Sequence, residues 1–301
     1  MRIERFPPAS RRLVLSTALA VALSDPAGAS DGRLADLTAR LASDSPRQRV
    51  GGGPFTASGL RGEDSLRFPP WLEGEWRVES NIVAAAAPLG RKYLPTDLAR
   101  LPLGDLRSRS PPLSYVVRFV RRDSDGSIVS DREGNLRASQ NAAAGFSRVD
   151  DVIYDGSACI KVRAVYPCRE GSTIAHTRPE QSQVRYSEFG RNNTYIGPSR
   201  AEVYINSRLQ SAPDAASDTF AFSETTRTVL LGASRSVSVS DAETLNLFTR
   251  AAGGDGLARQ RVMRFLTPNP NGPEGVLWQE ASGRAVALLD YELKLSRLPG
   301  E

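Results

Sequence analysis

From Phe68 onward the chain alternates apolar and polar residues with a period of two, in short runs separated by turn-forming clusters. The first run, Trp76–Ile82, places Trp76, Val78 and Ile82 on one face, and the next, Leu113–Arg121, does the same with Leu113, Tyr115, Val117 and Phe119. Further strands are expected at Ser127–Arg132, Cys159–Tyr166, Gln183–Ser187, Ala201–Leu209, Thr219–Ser223, Arg227–Leu231 and Arg261–Leu266. The last run, Ala285–Leu298, is the most regular. Ala285, Ala287, Leu289, Tyr291, Leu293 and Leu295 make its dry side, and Asp290, Glu292, Lys294 and Ser296 its wet side. Asp241–Arg250 reads equally as a short helix or a strand. With about ten strands, little helix and no βαβ rhythm, the pattern predicts an all-β, antiparallel domain over residues 68–298. A closed barrel is expected, because closure removes exposed edges and sets the last strand beside the first.

The residues ahead of that domain have a different texture. Arg2, Arg5, Arg11 and Arg12 precede an uncharged, mostly apolar run, Leu13–Leu23, and Ala27-Gly28-Ala29 follows. That is the layout of an export signal over residues 1–29, with cleavage expected after Ala29. Ser10-Arg11-Arg12 makes it a twin-arginine type; an amphipathic N-terminal helix is the alternative. The apolar run falls short of the ~17–25 residues needed to span a bilayer, and no later stretch is longer and more apolar, so a soluble product without a transmembrane segment is expected. Residues 30–67 read as a flexible preamble with one short helix, marked by Leu34, Leu37 and Leu41, before Gly51-Gly52-Gly53.

Composition narrows the chemistry. The net charge is +5, and the only lysines are Lys92, Lys161 and Lys294. The arginines are scattered, so no nucleic-acid footprint is expected. A single histidine, His176, and two cysteines, Cys159 and Cys168, exclude a His-rich or thiolate metal cluster. The cysteines form a possible disulfide, but across one extended strand their Cα atoms would lie roughly 30 Å apart, so a bridge requires a turn between them. The alternative is two free thiols.

His176 suits a general base or an axial haem ligand, but no carboxylate accompanies it in the sequence. Asp131 and Glu133 form either an acid/base or cation-binding pair, or a solvated hairpin turn with Gly134-Asn135. Glu224 and Arg227 make either a polar pair inside a barrel mouth or a surface pair at a strand end. No serine sits in a nucleophile elbow. The inward aromatics Tyr115, Phe119, Tyr166, Phe220, Phe222 and Tyr291 either line a ligand cavity or fill a solid core.

Gly74-Glu75-Trp76, at the head of the first strand, resembles the Gly-X-Trp opening of lipocalin-like (calycin) barrels, the alternative being an unrelated β-sandwich anchored by its tryptophan. That resemblance implies eight to ten strands around a ligand site, and a Trp76 that plugs the closed end beneath an arginine of the last strand. Arg297, on the apolar parity of Ala285–Leu298, is placed for that role. A wider set of motifs resembles an uncharacterised family of plant and algal plastid proteins defined by a domain of unknown function. These are Phe68-Pro69-Pro70-Trp71-Leu72-Glu73-Gly74-Glu75-Trp76, Ala87-Pro88-Leu89-Gly90, Pro112–Phe119, Val129–Asn135, Arg261–Pro268 and Asp290–Leu293. The resemblance implies a thylakoid-lumen location and a barrel-like fold, without an activity. Read alone, the export signal fits secretion or a periplasm as well.

The function expected from these features is non-enzymatic binding of a small apolar ligand, a pigment, lipid or tetrapyrrole, with no defined cofactor. The alternatives are an assembly factor for photosynthetic membrane complexes, or an enzyme acting on a lipid or carotenoid with Asp131, Glu133 or Glu224 as acid.

Overall fold

The computed structural model describes residues 26–48, 66–108, 111–123, 125–155, 181–232, 237–268 and 274–299. Its strands are β1 (Gly74–Ala86), β2 (Gly104–Asp105), β3 (Leu113–Arg121), β4 (Ile128–Ser130), β5 (Val149–Asp155) and β6 (Gln181–Tyr186). They continue with β7 (Ser199–Gln210), β8 (Thr219–Leu231), β9 (Val237–Arg250), β10 (Gly256–Phe265) and β11 (Ala287–Arg297). Three helices accompany them: α1 (Pro26–Ala42), α2 (Arg132–Ala144) and α3 (Glu274–Ala281). The strands form one antiparallel sheet in the order β4-β3-β1-β11-β10-β9-β8-β7-β6-β5, with β2 on β1. The protein is therefore mostly β, and the sheet curls into a half-barrel. The first long strand lies beside the last, as barrel closure led us to expect, Trp76 opposite Arg297 and Val78 opposite Leu295, but the pair sits inside the sheet and is not its closing seam.

The curl brings distant strands together on one face. Phe119 of β3 meets Phe248 of β9, ring centroids 6.5 Å apart, although β1, β11 and β10 separate the two strands. That face is concave, and its parity carries Trp76, Val78, Tyr115, Phe220, Phe222, Phe248, Leu293 and Leu295, which form the largest apolar cluster. The segment leading into β1 joins it from outside the sheet, with Phe68, Trp71 and Leu72.

Part of the convex face is covered by α1. Leu37 (0% exposed) and Leu41 pack on Ala221, Leu245, Met263 and Leu288, and burying each leucine is worth roughly 1.5–3 kcal/mol. Arg40 donates to the fully buried Glu243 carboxylate from Nε at 2.8 Å and also from Nη2, and Ser223 Oγ donates to the same carboxylate at 2.8 Å. The leucine spacing thus marks a helix that is part of the folded body.

Among the described residues the sheet does not close through hydrogen bonds between its outermost strands. The helix α2 links β4 to β5 and packs against both β3 and β5, so a helix occupies the seam. This corrects the expectation of a strand running to Arg132 followed by a hairpin turn. The physical reason is the cap: the Asp131 carboxylate accepts the Gly134 N–H at 3.1 Å and starts a helix, which ends at Gly145 in the left-handed region (φ 73°). Asn135 then serves the exposed edge of β3 where β4 stops. Its Oδ1 accepts the Arg118 N–H at 2.7 Å and its Nδ2 donates to Arg118 O at 2.9 Å.

Asp241–Arg250 is strand, and Thr219–Ser223 and Arg227–Leu231 are parts of one strand, β8. The expected strand Cys159–Tyr166 lies outside the described residues, as do Leu13–Leu23 and Gly51–Gly53. Among the described residues no helix is long and apolar enough to cross a membrane.

Candidate functional site

One end of the concave face is built around Gly74, Trp76 and Arg297. The indole is fully buried, and its Nε1 donates to Leu72 O at 2.8 Å. The Arg297 guanidinium lies over the indole, 4.5 Å from the ring centroid, and donates to Glu73 O at 2.8 Å and Trp71 O at 2.7 Å. One arginine thereby ties the turn at Pro70–Leu72 across the end of the sheet and stacks on the tryptophan beneath it. Gly74 has φ +118°, which favours glycine, and a Cβ there would also crowd Arg297 Nη1 at 3.0 Å.

Next along the axis is a packed aromatic layer. The Phe68 ring sits 4.7 Å from Phe119, 5.5 Å from Phe220 and 5.4 Å from Phe222, and Phe222 stacks on Phe248 at 6.0 Å. Phe119 and Phe220 are thus core side chains at this level. Sequence reasoning missed the ring that locks them, because Phe68 lies at the head of the domain but ahead of its first strand run, Trp76–Ile82.

Tyr115 and Tyr291 differ from those phenylalanines. Both are half-buried on the concave face, with Phe222 and Val117 in the same state. Burial raises the Tyr115 phenol above its ordinary value, partly offset by a hydrogen bond with Ser80. Burial, reinforced by the neighbouring Tyr115, raises Tyr291 as well. Tyr291 also touches a second apolar cluster, in which Ala85, Leu106 and Leu289 pack with Ile82, Leu101, Leu103 and Val262.

Polar groups occupy the same face beyond the phenylalanines. Gln260 Nε2 donates to Asn246 Oδ1 at 2.8 Å. Glu224 accepts from Arg208 Nε at 2.7 Å and from Arg132 Nη2. Burial alone would raise the Glu224 carboxyl, but the two guanidiniums outweigh it and hold it below its ordinary value of 4.5. Arg227 is not its partner. In a strand the side chains of residues 224 and 227 point to opposite faces, and Arg227 pairs on the convex side with Asp241, through two bonds of 2.8 Å.

The remaining acid candidates sit at the start of α2. Asp131 caps α2 and binds Arg118 through bonds of 3.1 and 2.6 Å. Glu133 lies in the first turn of α2, where a negative charge suits the helix dipole. Among the described residues there is no group of three or more His, Cys, Asp or Glu placed to hold a metal ion. Tyr166, His176, Cys159 and Cys168 lie outside the described residues.

No curated protein matches this chain, and no solved structure does. Residues 61–167 are similar to a family model described as a domain of unknown function (DUF6816), a span that holds the Gly74-Glu75-Trp76 opening and the Asp131 cap but stops short of Arg297.

Proposed function

We propose that the protein is a non-catalytic binding module that carries a small, mainly apolar molecule (a pigment, lipid or tetrapyrrole) on the concave face of its sheet, along Tyr115, Phe222 and Tyr291. The carrying observation is the contrast in burial on that face: Phe119 and Phe220 are sealed by Phe68, whereas Tyr115, Val117, Phe222 and Tyr291 keep part of their surface open. Half-open aromatic walls beside a few fixed polar groups suit a small-molecule site. A non-catalytic role is favoured by the state of the acids. A general acid at neutral pH needs a raised pKa, and Glu224 is held low between two arginines. The plastid thylakoid lumen, reached through the twin-arginine segment, is the proposed compartment, on the strength of the sequence resemblance.

The test is native mass spectrometry with an absorption spectrum on protein purified from its own source, followed by titration of the emptied protein with the molecule found. A co-purifying lipid or chromophore whose affinity drops about tenfold, near 1.4 kcal/mol, in Tyr115→Ala and Tyr291→Ala supports the proposal. Protein that carries nothing overturns it, as does a bound molecule whose affinity neither substitution changes.

A further inference from the structure

Three uncharged polar side chains stand in a row across the concave face. Tyr291 of β11 is opposite Gln260 of β10, and Gln260 is opposite Asn246 of β9. Neighbouring strands lie about 4.8 Å apart, so the row runs about 10 Å across the sheet, and Phe222 of β8 continues it. Two positions nearer the Trp76 end, Leu293, Ala258, Phe248 and Phe220 are all buried. Two positions the other way, Val262, Thr244 and Glu224 are half-buried. The row is therefore the floor of the open part of the face.

Its hydrogen-bonding capacity is only partly used. Gln260 Nε2 donates to Asn246 Oδ1 at 2.8 Å, and among the described residues this is the one hydrogen bond that either side chain makes. Gln260 Oε1 is left as an acceptor and Asn246 Nδ2 as a donor. Turning both amides over exchanges those roles and still leaves one donor and one acceptor. The Tyr291 hydroxyl has no hydrogen-bond partner among the described residues, and burial beside Tyr115 keeps it protonated. None of these atoms is a sealed, unpartnered atom of the interior, so a molecule on the floor can reach them.

We infer, on the reading of the protein as a carrier, that this row holds the polar end of the carried molecule and that this end is uncharged, an alcohol or a primary amide. Such a group both donates and accepts, and so meets the unspent groups of the row. A carboxylate or phosphate only accepts. It would leave Gln260 Oε1 unpaired and would give up its hydration to a phenol and two amides without gaining a cation. The charged groups one level further out are already committed: Glu224 accepts from Arg208 and Arg132, and each of those arginines has an interaction beyond it. The apolar body of the molecule then lies against the half-buried rings of Tyr291, Phe222 and Tyr115.

The test is titration calorimetry at neutral pH on the full chain, emptied of any co-purified molecule, with decanol and with decanoate, which share an alkyl chain. Decanol should bind about tenfold tighter, the worth of one or two hydrogen bonds. Tyr291→Phe keeps the ring and removes one hydroxyl, and Gln260→Leu keeps the bulk and removes the amide. Each should weaken decanol several-fold and leave decanoate unchanged. Gln260→Lys sets a cation in the row and should reverse the preference. Equal binding of the two compounds, or tighter binding of decanoate, overturns the inference and leaves the carrier reading standing. The same holds for a decanol affinity that neither Tyr291→Phe nor Gln260→Leu moves, or a folded Gln260→Lys chain that still prefers decanol. Uptake of neither compound overturns it too, and the co-purifying molecule, whose detection does not depend on the row, then decides the carrier reading separately.

Discussion

At the scale of single residues, the closed end was the most legible part of the chain. Gly74, Trp76 and Arg297 are far apart in sequence, but strand parity places Trp76 and Arg297 on the same side, and β1–β11 pairing sets them opposite one another. Gly74→Ala puts a side chain at φ +118° against a guanidinium 3.0 Å away. It should cost about 1–3 kcal/mol, measured as a lower urea midpoint without a change in slope. Glu224 was half legible. Its inward direction follows from Phe222 and Phe220 two and four positions earlier, but its partners Arg132 and Arg208 stand 92 and 16 positions away and leave no local pattern. Its pKa carries a pH prediction. A carboxyl held below 4.5 in the folded state adds stability above that pH, and the contribution disappears as pH falls through the folded value. In Glu224→Gln the acid-induced loss of stability below about pH 4.5 should shrink, while stability at pH 7 drops by about 3 kcal/mol because two guanidiniums lose their counter-ion. Urea titrations of both proteins at pH 3 to 7 check this, and parallel pH profiles would refute it.

At the scale of elements, strands were easier to read than helices. Period-two alternation survives along β1, β3 and β11 because one of their faces is dry. In the segment Arg132–Ala144, Leu136 is the one large apolar residue among alanines and polar residues, so no apolar stripe marked its helix. The usable signal was the pair of ends, Asp131 as cap and Gly145 as stop. Asp131→Ala should lose the cap, about 1 kcal/mol, together with the pair to Arg118, and circular dichroism should register the loss as reduced helix. For α1 the three leucines were readable, but the ion pair that clamps it was not, since Arg40 reaches Glu243 203 positions later. Arg40→Ala strips a charged partner from a carboxylate with no exposed surface. The expected cost is about 3–5 kcal/mol, with faster proteolytic cutting within residues 26–48. Replacing Glu243 with Gln in the Arg40→Ala protein should recover part of that loss, and a double variant no more stable than Arg40→Ala alone would disprove the clamp.

At the scale of the whole molecule, the strand pattern told that the sheet is antiparallel, and the expectation of closure that its first and last strands are neighbours, but neither told how its far edges meet. Closure by a helix depends on packing between α2 and two distant strands, for which a periodic pattern holds no code. The consequence is an uneven distribution of cohesion. The large cluster around Trp76, Phe220 and Phe248 draws on β1, β3 and β8–β11, whereas the seam rests on a small cluster in which Leu136 of α2 joins Val149, Val152, Val184 and Ala201. Local opening follows the smaller core. Amide exchange should therefore be faster across α2, β5 and β6 than across β1, β9, β10 and β11. Leu136→Asp buries a charge against the four small apolar residues and should accelerate exchange in β5 and β6 alone, leaving the protection of β10 and β11 near the wild-type level. Equal acceleration in both regions would mean that the sheet opens as one cooperative unit and that the helix in the seam is not its weakest join. If the seam does open first, it gives a small apolar molecule a route to Tyr115 and Tyr291 that avoids the end sealed by Trp76 and Arg297.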